Sequence, residues 1–227
     1  MSSGAAIDAG RVKALLFDLG GVVVEFDFAR ALAHWAPMSS LPPEALARAF
    51  SHDDDYQRHE RAELTGAQYF DTLRRKLRLA ATDEQIEAGW NAIFRAEIAP
   101  TLDAIEAARG FLPCYAFSNT NKSHHAAWRT AFPRIEPAFE KVFTSSDIGL
   151  RKPEPAAFAH VCQEIGQPPQ AVLFFDDLEE NVQAARACGL QAVLVRSPED
   201  VRAALRQLRV HHQTSPAPHQ GTGFAGP

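Results

Sequence analysis

Cysteine is scarce in this chain, and no apolar run comes near the length of a membrane span. Cys114, Cys162 and Cys188 are odd in number, far apart and set among apolar neighbours. That pattern fits reduced packing thiols better than a disulfide framework or a zinc site. Crossing a bilayer takes roughly 20 consecutive apolar residues, which excludes a spanning helix. The opening MSSGAAIDAG has neither a basic segment nor the apolar stretch of an export signal, so a cytoplasmic location is expected. Positive charge is also short, with 23 Lys and Arg against 28 Asp and Glu, a net charge of −5 and no basic cluster. Nucleic-acid binding needs a concentrated basic surface, so neither nucleic acid nor membrane is expected as a partner. The remainder, 46 % hydrophobic and 22 % charged over 227 residues, suffices for a substantial buried core.

Apolar runs recur at KALLFDL, LPCYAFS, AVLFFDD and QAVLVR. Continuous apolar strands are buried on both faces, as in a parallel sheet covered by helices, so the reading is an α/β fold. From about Phe28 to Pro100 the alternation stops. No strand is evident there, and amphipathic helices follow one another. Thr65 with Gln68, and Thr82 with Gln85, form capping-box patterns. They precede Phe70, Leu73 and Leu77, and Ile86, Trp90, Ile93 and Phe94, at helical spacing. The expected organisation is a discontinuous core over 11–26 and 99–209, an inserted all-helical unit over 27–98, and flexible termini at 1–10 and 210–227. The tail HHQTSPAPHQGTGFAGP has the Pro, Gly and Ser content of a disordered segment.

Each core strand ends in chemistry. The first delivers Asp18 to Gly20-Gly21, the second ends at Ser118-Asn119, and the third at Asp176-Asp177. In an open α/β sheet the carboxyl ends of the strands share one edge, where ligands bind. Carboxylates brought together there repel, and a hard divalent ion answers the repulsion. Ser118 can donate its hydroxyl and Asn119 its backbone amide to an anion at a strand-to-helix turn. Lys152, in GLRKPEP, opens another helix and can bring its ammonium to the same edge.

In this order, the four segments resemble the motifs of the haloacid dehalogenase (HAD) superfamily, over nearly everything from Arg11 to Arg209. The resemblance implies a Rossmannoid parallel-sheet core, a helical cap and Mg²⁺-dependent phosphomonoester hydrolysis through an aspartyl-phosphate. FDLGGVVVEFDFARAL, HERAELTGAQYF, SNTNKSHHAAW, DIGLRKPEPAAFAHV and VLFFDDLEENVQAA further resemble the bacterial α-D-glucose-1-phosphate phosphatase subgroup. Carried over residue by residue, the resemblance makes Asp18 the nucleophile and a metal ligand, with Gly20 offering its backbone carbonyl to the metal. Asp177 is then the preferred direct ligand and Asp176 a second or water-mediated one, with Asn181 orienting them. Ser118, Asn119 and Lys152 hold the phosphate, and Lys152 also steadies Asp18. A small phosphorylated metabolite is the implied partner, and the chain is expected as a monomer or homodimer.

One departure stands out. Most phosphatases of the superfamily carry a second Asp two residues after the nucleophile, where this chain has Gly20. General acid–base help is worth about 10²- to 10⁴-fold. Its absence suits an easily expelled leaving group, such as the anomeric oxygen of a sugar 1-phosphate. His59, Glu60 and His124 are the candidate replacements for moving the proton. Two other readings also fit these residues. One is a 2-haloacid dehalogenase-type hydrolase, although Gly-Gly replaces the Tyr-Gly-Thr pattern those relatives typically carry after the nucleophile. The other is a catalytically silent protein that keeps the fold.

Overall fold

The computed structural model describes residues 6–214. The chain enters through β1 (Ala14–Phe17), a short β2 (Val24–Phe26) and α1 (Phe28–Trp35). It continues through α2 (Pro43–Ala49), α3 (Asp54–Glu60), α4 (Gly66–Lys76), α5 (Asp83–Asn91) and β3 (Phe94–Glu97). The core resumes with α6 (Ala99–Ala108), β4 (Cys114–Ser118), α7 (Lys122–Ala131), β5 (Lys141–Thr144) and α8 (Ser145–Ile148). It closes with α9 (Pro155–Ile165), β6 (Val172–Asp176), α10 (Glu179–Ala187), β7 (Gln191–Leu194) and α11 (Pro198–Thr214).

The main sheet is parallel throughout, in the order β5-β4-β1-β6-β7. Side chains alternate across its two faces, as the pleat requires. Leu15 and Phe17 of β1, with Leu173 and Phe175 of β6, enter one apolar cluster under α6 and α11. Ala14, Leu16, Val172 and Phe174 enter the other, under α9 and α10. Phe17 and Phe175 lie opposite one another in register and stack at 4.6 Å. The central strands are therefore buried on both sides, which makes the sheet a rigid mount for whatever follows their last residues. Cys114, Cys162 and Cys188 are free thiols, and no helix among the described residues is long and apolar enough to cross a membrane.

The insertion has a third core of its own, centred on Trp35, Tyr69, Phe70, Leu73 and Trp90. Both capping boxes form, with Thr65 on Gln68 and Thr82 on Gln85. It is not wholly helical, however. Helix α5 stops at Asn91, and Phe94 belongs to β3, which pairs antiparallel with β2 in a two-stranded ribbon. Both crossings between core and cap run through this ribbon. The ends also differ from expectation. The Asp8 amide donates to Gln191 Oε1 at 2.8 Å, and Gln207 Nε2 donates to the Ile7 carbonyl at 3.2 Å. Helix α11 continues to Thr214, so residues 210–214 are helical. Residues 215–227, the rest of the expected flexible tail, lie outside the described residues, as do residues 1–5.

Candidate active site at the carboxyl edge of the sheet

β1 lies between β4 and β6, so Asp18 leaves the sheet beside Asp176 and across from Ser118. Carboxylate oxygens of Asp18, Asp176 and Asp177 lie within 4.8 Å of one another. Lys152 arrives from the loop before α9 and is 1 % exposed. Its Nζ lies 2.7 Å from Asp18 Oδ1 and 2.8 Å from Asp176 Oδ2, between the rings of Phe117 and Phe174 at 5.3 and 5.4 Å. Those rings cover the ammonium on its apolar sides and restrict it to the two carboxylates.

The two acids after β6 are held differently. Asp176 is fully buried. Besides Lys152, it accepts from Asn181 Nδ2 at 3.0 and 3.1 Å and from the Leu178 amide at 2.9 Å. Asp177 is only partly buried and makes none of these contacts. Asn181 therefore orients Asp176 alone, where the sequence reading gave it both acids. Asn119 also does something the sequence did not reveal. Its side chain clamps the backbone of residue 152, with Nδ2 donating to the Lys152 carbonyl and Oδ1 accepting from the Lys152 amide, each at 2.8 Å. Ser118 Oγ has no hydrogen-bond partner among the described residues.

Three carboxylates face one ammonium here, and the protonation equilibria register the excess. Burial pushes the Asp18 carboxyl up to about 7; Lys152 pulls it down, but the Asp176 and Asp177 charges add to the push. Burial and the charge of Asp176 push Asp177 up to about 6 against the pull of Lys152. Burial alone would loosen the Lys152 proton, yet the carboxylates of Asp176 and Asp18 more than offset it and the ammonium is held. A divalent cation would relieve this imbalance, and the all-oxygen donor set is the kind Mg²⁺ takes.

The glycines act on this site in different ways. Gly21 has φ +72°, and a Cβ there would run into the Asp177 carboxylate, so no other residue fits without displacing that acid. A Cβ on Gly20 would lie 2.9 Å from Cε1 of Phe26. The space that the second Asp of related enzymes would enter is bounded here by an aromatic ring of the ribbon.

None of the three candidate proton carriers hydrogen-bonds to Asp18 or Lys152. Glu60 is buried and accepts from Arg151 Nε at 2.9 Å across the cap–core boundary. His124 is committed to the Trp90 carbonyl through Nε2 at 3.0 Å and stacks on the Trp90 ring at 4.4 Å. Burial drives its pKa down to about 3, leaving a neutral imidazole. His59 stacks on Tyr69 at 4.5 Å with Nδ1 at 3.2 Å from the Leu64 carbonyl. Its Nε2 is buried without a partner.

Residues 12–189 match the haloacid dehalogenase-like hydrolase family. Among curated relatives, Phosphatase MT3486 of Mycobacterium tuberculosis is 27 % identical over 81 % of this chain and 87 % of its own length. D-ribitol-5-phosphate phosphatase of Bacteroides thetaiotaomicron is 22 % identical over 86 % and 97 %. Drimenol cyclase drtB of Aspergillus calidoustus is 27 % identical over 87 % of this chain, which spans only 36 % of that protein. A crystal structure of a HAD family enzyme from B. thetaiotaomicron in complex with magnesium superposes with a TM-score of 0.76 at 29 % identity, covering 86 % of this chain and 99 % of that one. The same enzyme with magnesium and inorganic phosphate gives 0.73, also at 29 % identity, over 82 % and 94 %. Matching sequence over most of its length and matching architecture around an acidic sheet edge, the chain belongs to the haloacid dehalogenase-like hydrolase family.

Proposed function

We propose that the chain is a Mg²⁺-dependent phosphomonoesterase acting on a small phosphorylated metabolite, in the class of sugar phosphates such as glucose 1-phosphate. The observation that carries this reading is the convergence of Asp18, Lys152, Asp176 and Asp177 on one sheet edge, with Ser118 Oγ uncommitted beside them. The magnesium and phosphate bound by a 29 % identical structure support it, as do relatives named as phosphatases.

Asp18, the Gly20 carbonyl and Asp177 would hold the cation. Asp176, committed to Lys152 and Asn181, would support it from behind. When bound, the cation supplies positive charge opposite the phosphoryl oxygens. The chain's own residues account for the rest. Asp18 Oδ attacks phosphorus, a new P–O bond forms to the carboxylate, and the bond to the leaving oxygen breaks. Lys152, Ser118 Oγ and the Asn119 amide balance charge on the transferring group. The leaving oxygen takes a proton from solvent; water then attacks phosphorus and gives up a proton to solvent, and the bond between phosphorus and the Asp18 oxygen breaks to release inorganic phosphate and restore the carboxylate. With Gly20 where an acid usually stands, departure of the alcohol depends on its own acidity, which favours anomeric and similarly activated esters.

The test is phosphate release from a panel of hexose 1-phosphates and 6-phosphates, with Mg²⁺ or chelator, beside Asp18→Asn. Release that survives both chelation and the substitution would end this reading. Halide release from 2-haloacids without Mg²⁺ would replace it with the dehalogenase alternative, and silence in every assay with the non-catalytic one.

A further inference from the structure

The contacts around the acidic cluster close into a ring. The Phe26 side chain bounds Gly20, two residues from Asp18. Phe26 meets Phe28 edge-on at 5.8 Å, and Phe28 meets His52 at 4.9 Å. His52 stacks on Tyr56 at 4.4 Å, and Tyr56 and Glu60 are close enough to interact electrostatically. Tyr56 and Glu60 stand four residues apart on α3, a spacing that aligns side chains along a helix face, and His52 lies just before its N-cap, Asp53. Glu60 accepts from Arg151, and the next residue, Lys152, returns to Asp18 at 2.7 Å. A leaving group attached to phosphorus at Asp18 would emerge inside this collar.

The collar has two chemically distinct arcs. One is aromatic, and its end is open, since Phe26 is 40 % exposed; Leu178, next to Asp177, is 49 % exposed. Two of the three large apolar side chains exposed among the described residues thus flank one acidic site, an arrangement that suits a ligand with a C–H face. The other arc is the Glu60–Arg151 pair, which bridges cap and core with both side chains largely buried. A carboxylate on the leaving group would face Glu60, and an ammonium would face Arg151, so neither charge is favoured. A neutral group that both donates and accepts satisfies both partners. Among the described residues the Arg151 side chain donates from Nε only, so both Nη atoms remain for an incoming oxygen.

We propose that this collar is the specificity-determining element of the site and selects phosphomonoesters of polyhydroxylated leaving groups. Glu60 and Arg151 read the hydroxyls, and Phe26 and Phe28 pack against the carbon chain. The proposal rests on the phosphomonoesterase reading above.

The test compares kcat/KM for erythritol 4-phosphate and n-butyl phosphate, two four-carbon esters differing only in hydroxyls, with acetyl phosphate as a short activated reference. The expected preference of the wild type for erythritol 4-phosphate is about 10⁴-fold, the scale on which a site built for hydroxyls rejects their absence. Glu60→Gln and Arg151→Lys should each reduce that preference at least tenfold, through KM more than kcat. Phe26→Ala should lower kcat/KM for both four-carbon esters and leave their ratio intact. Arg151→Lys keeps the charge and carries the test alone if Glu60→Gln does not fold. Mg²⁺-dependent release with no preference between the two esters, release from acetyl phosphate alone, or a preference untouched by Glu60→Gln and Arg151→Lys overturns the collar and leaves the phosphatase standing. No release from any ester, acetyl phosphate included, removes both.

Discussion

At the carboxyl end of β1 three carboxylates meet one ammonium, whereas in the seam between α5 and α7 the polar groups find hydrogen-bond partners close by. His124 stacks on Trp90 and bonds its carbonyl, Asn121 caps α7 and accepts from Trp90 Nε1, and Ser123 joins Asn91 and Glu87. The seam settles its polar atoms locally, as buried groups in a structural role do. The sheet edge leaves like charges crowded and Asp177 half-open, which weakens the folded state in exchange for reactivity. The two regions also respond to acid in opposite senses. Asp18 and Asp177 have folded pKa values raised to about 7 and about 6. Their stabilising effect is full below the unfolded carboxylate range and is lost as pH rises through those values. His124 has its folded pKa lowered to about 3. Its contribution is present above the unfolded histidine range and is lost as pH falls toward that value.

The contrast is broken or sharpened most severely at Asp18. Asp18→Asn should cut phosphate release by about 10⁴-fold or more. The cation-free melting temperature should hold or rise, because a crowded charge is gone; a marked fall would place Asp18 among the structural groups. Lys152→Met should remove both activity and stability, since deleting one partner of a buried ion pair costs about 3–5 kcal/mol. Urea denaturation reads that cost, and an unchanged midpoint would refute the charge accounting. Mg²⁺ at a hundred times its dissociation constant should stabilise the wild type by about 2.7 kcal/mol. Asp177→Asn should lose most of that gain, and equal shifts in both proteins would remove Asp177 from the cation site. The smallest effect belongs to the seam. Relative to pH 7, His124→Phe should be more stable at pH 5 than the wild type by about 1–2 kcal/mol, and parallel pH profiles would show that His124 carries no such linkage.

Much of the frame is legible in the sequence because burial on both faces leaves uninterrupted apolar runs, as in β1, β4 and β6, and the partly buried edge strand β7 keeps such a run as well. The edge strand β5 is short and begins with exposed Lys141, so its pattern is weak. The ribbon escapes notice for a different reason. β3 is half-exposed and lies just beyond α5, where Phe94 still satisfies helical spacing. Asp18, Lys152 and the Asp176-Asp177 pair are readable because each stands at a break after an apolar run or before a Pro-rich helix start. The Asn119 clamp on residue 152 and the partnership of Glu60 with Arg151 are not, since each joins positions far apart in sequence through a single loop conformation. Glu60 stands out in the sequence as a candidate proton carrier; its ion pair with Arg151 across the cap–core boundary is visible only in the structure.

The ribbon has a mechanical consequence. Its two strands are the only covalent routes into and out of the cap, and they are hydrogen-bonded to each other, with the register shifting between Glu25 and Phe26. Such an irregularity bends a strand and re-aims its side chains. Any swing of the cap must flex this tether, and the tether carries the ring that borders Gly20. Opening the lid and reshaping the approach to Asp18 would then be a single motion.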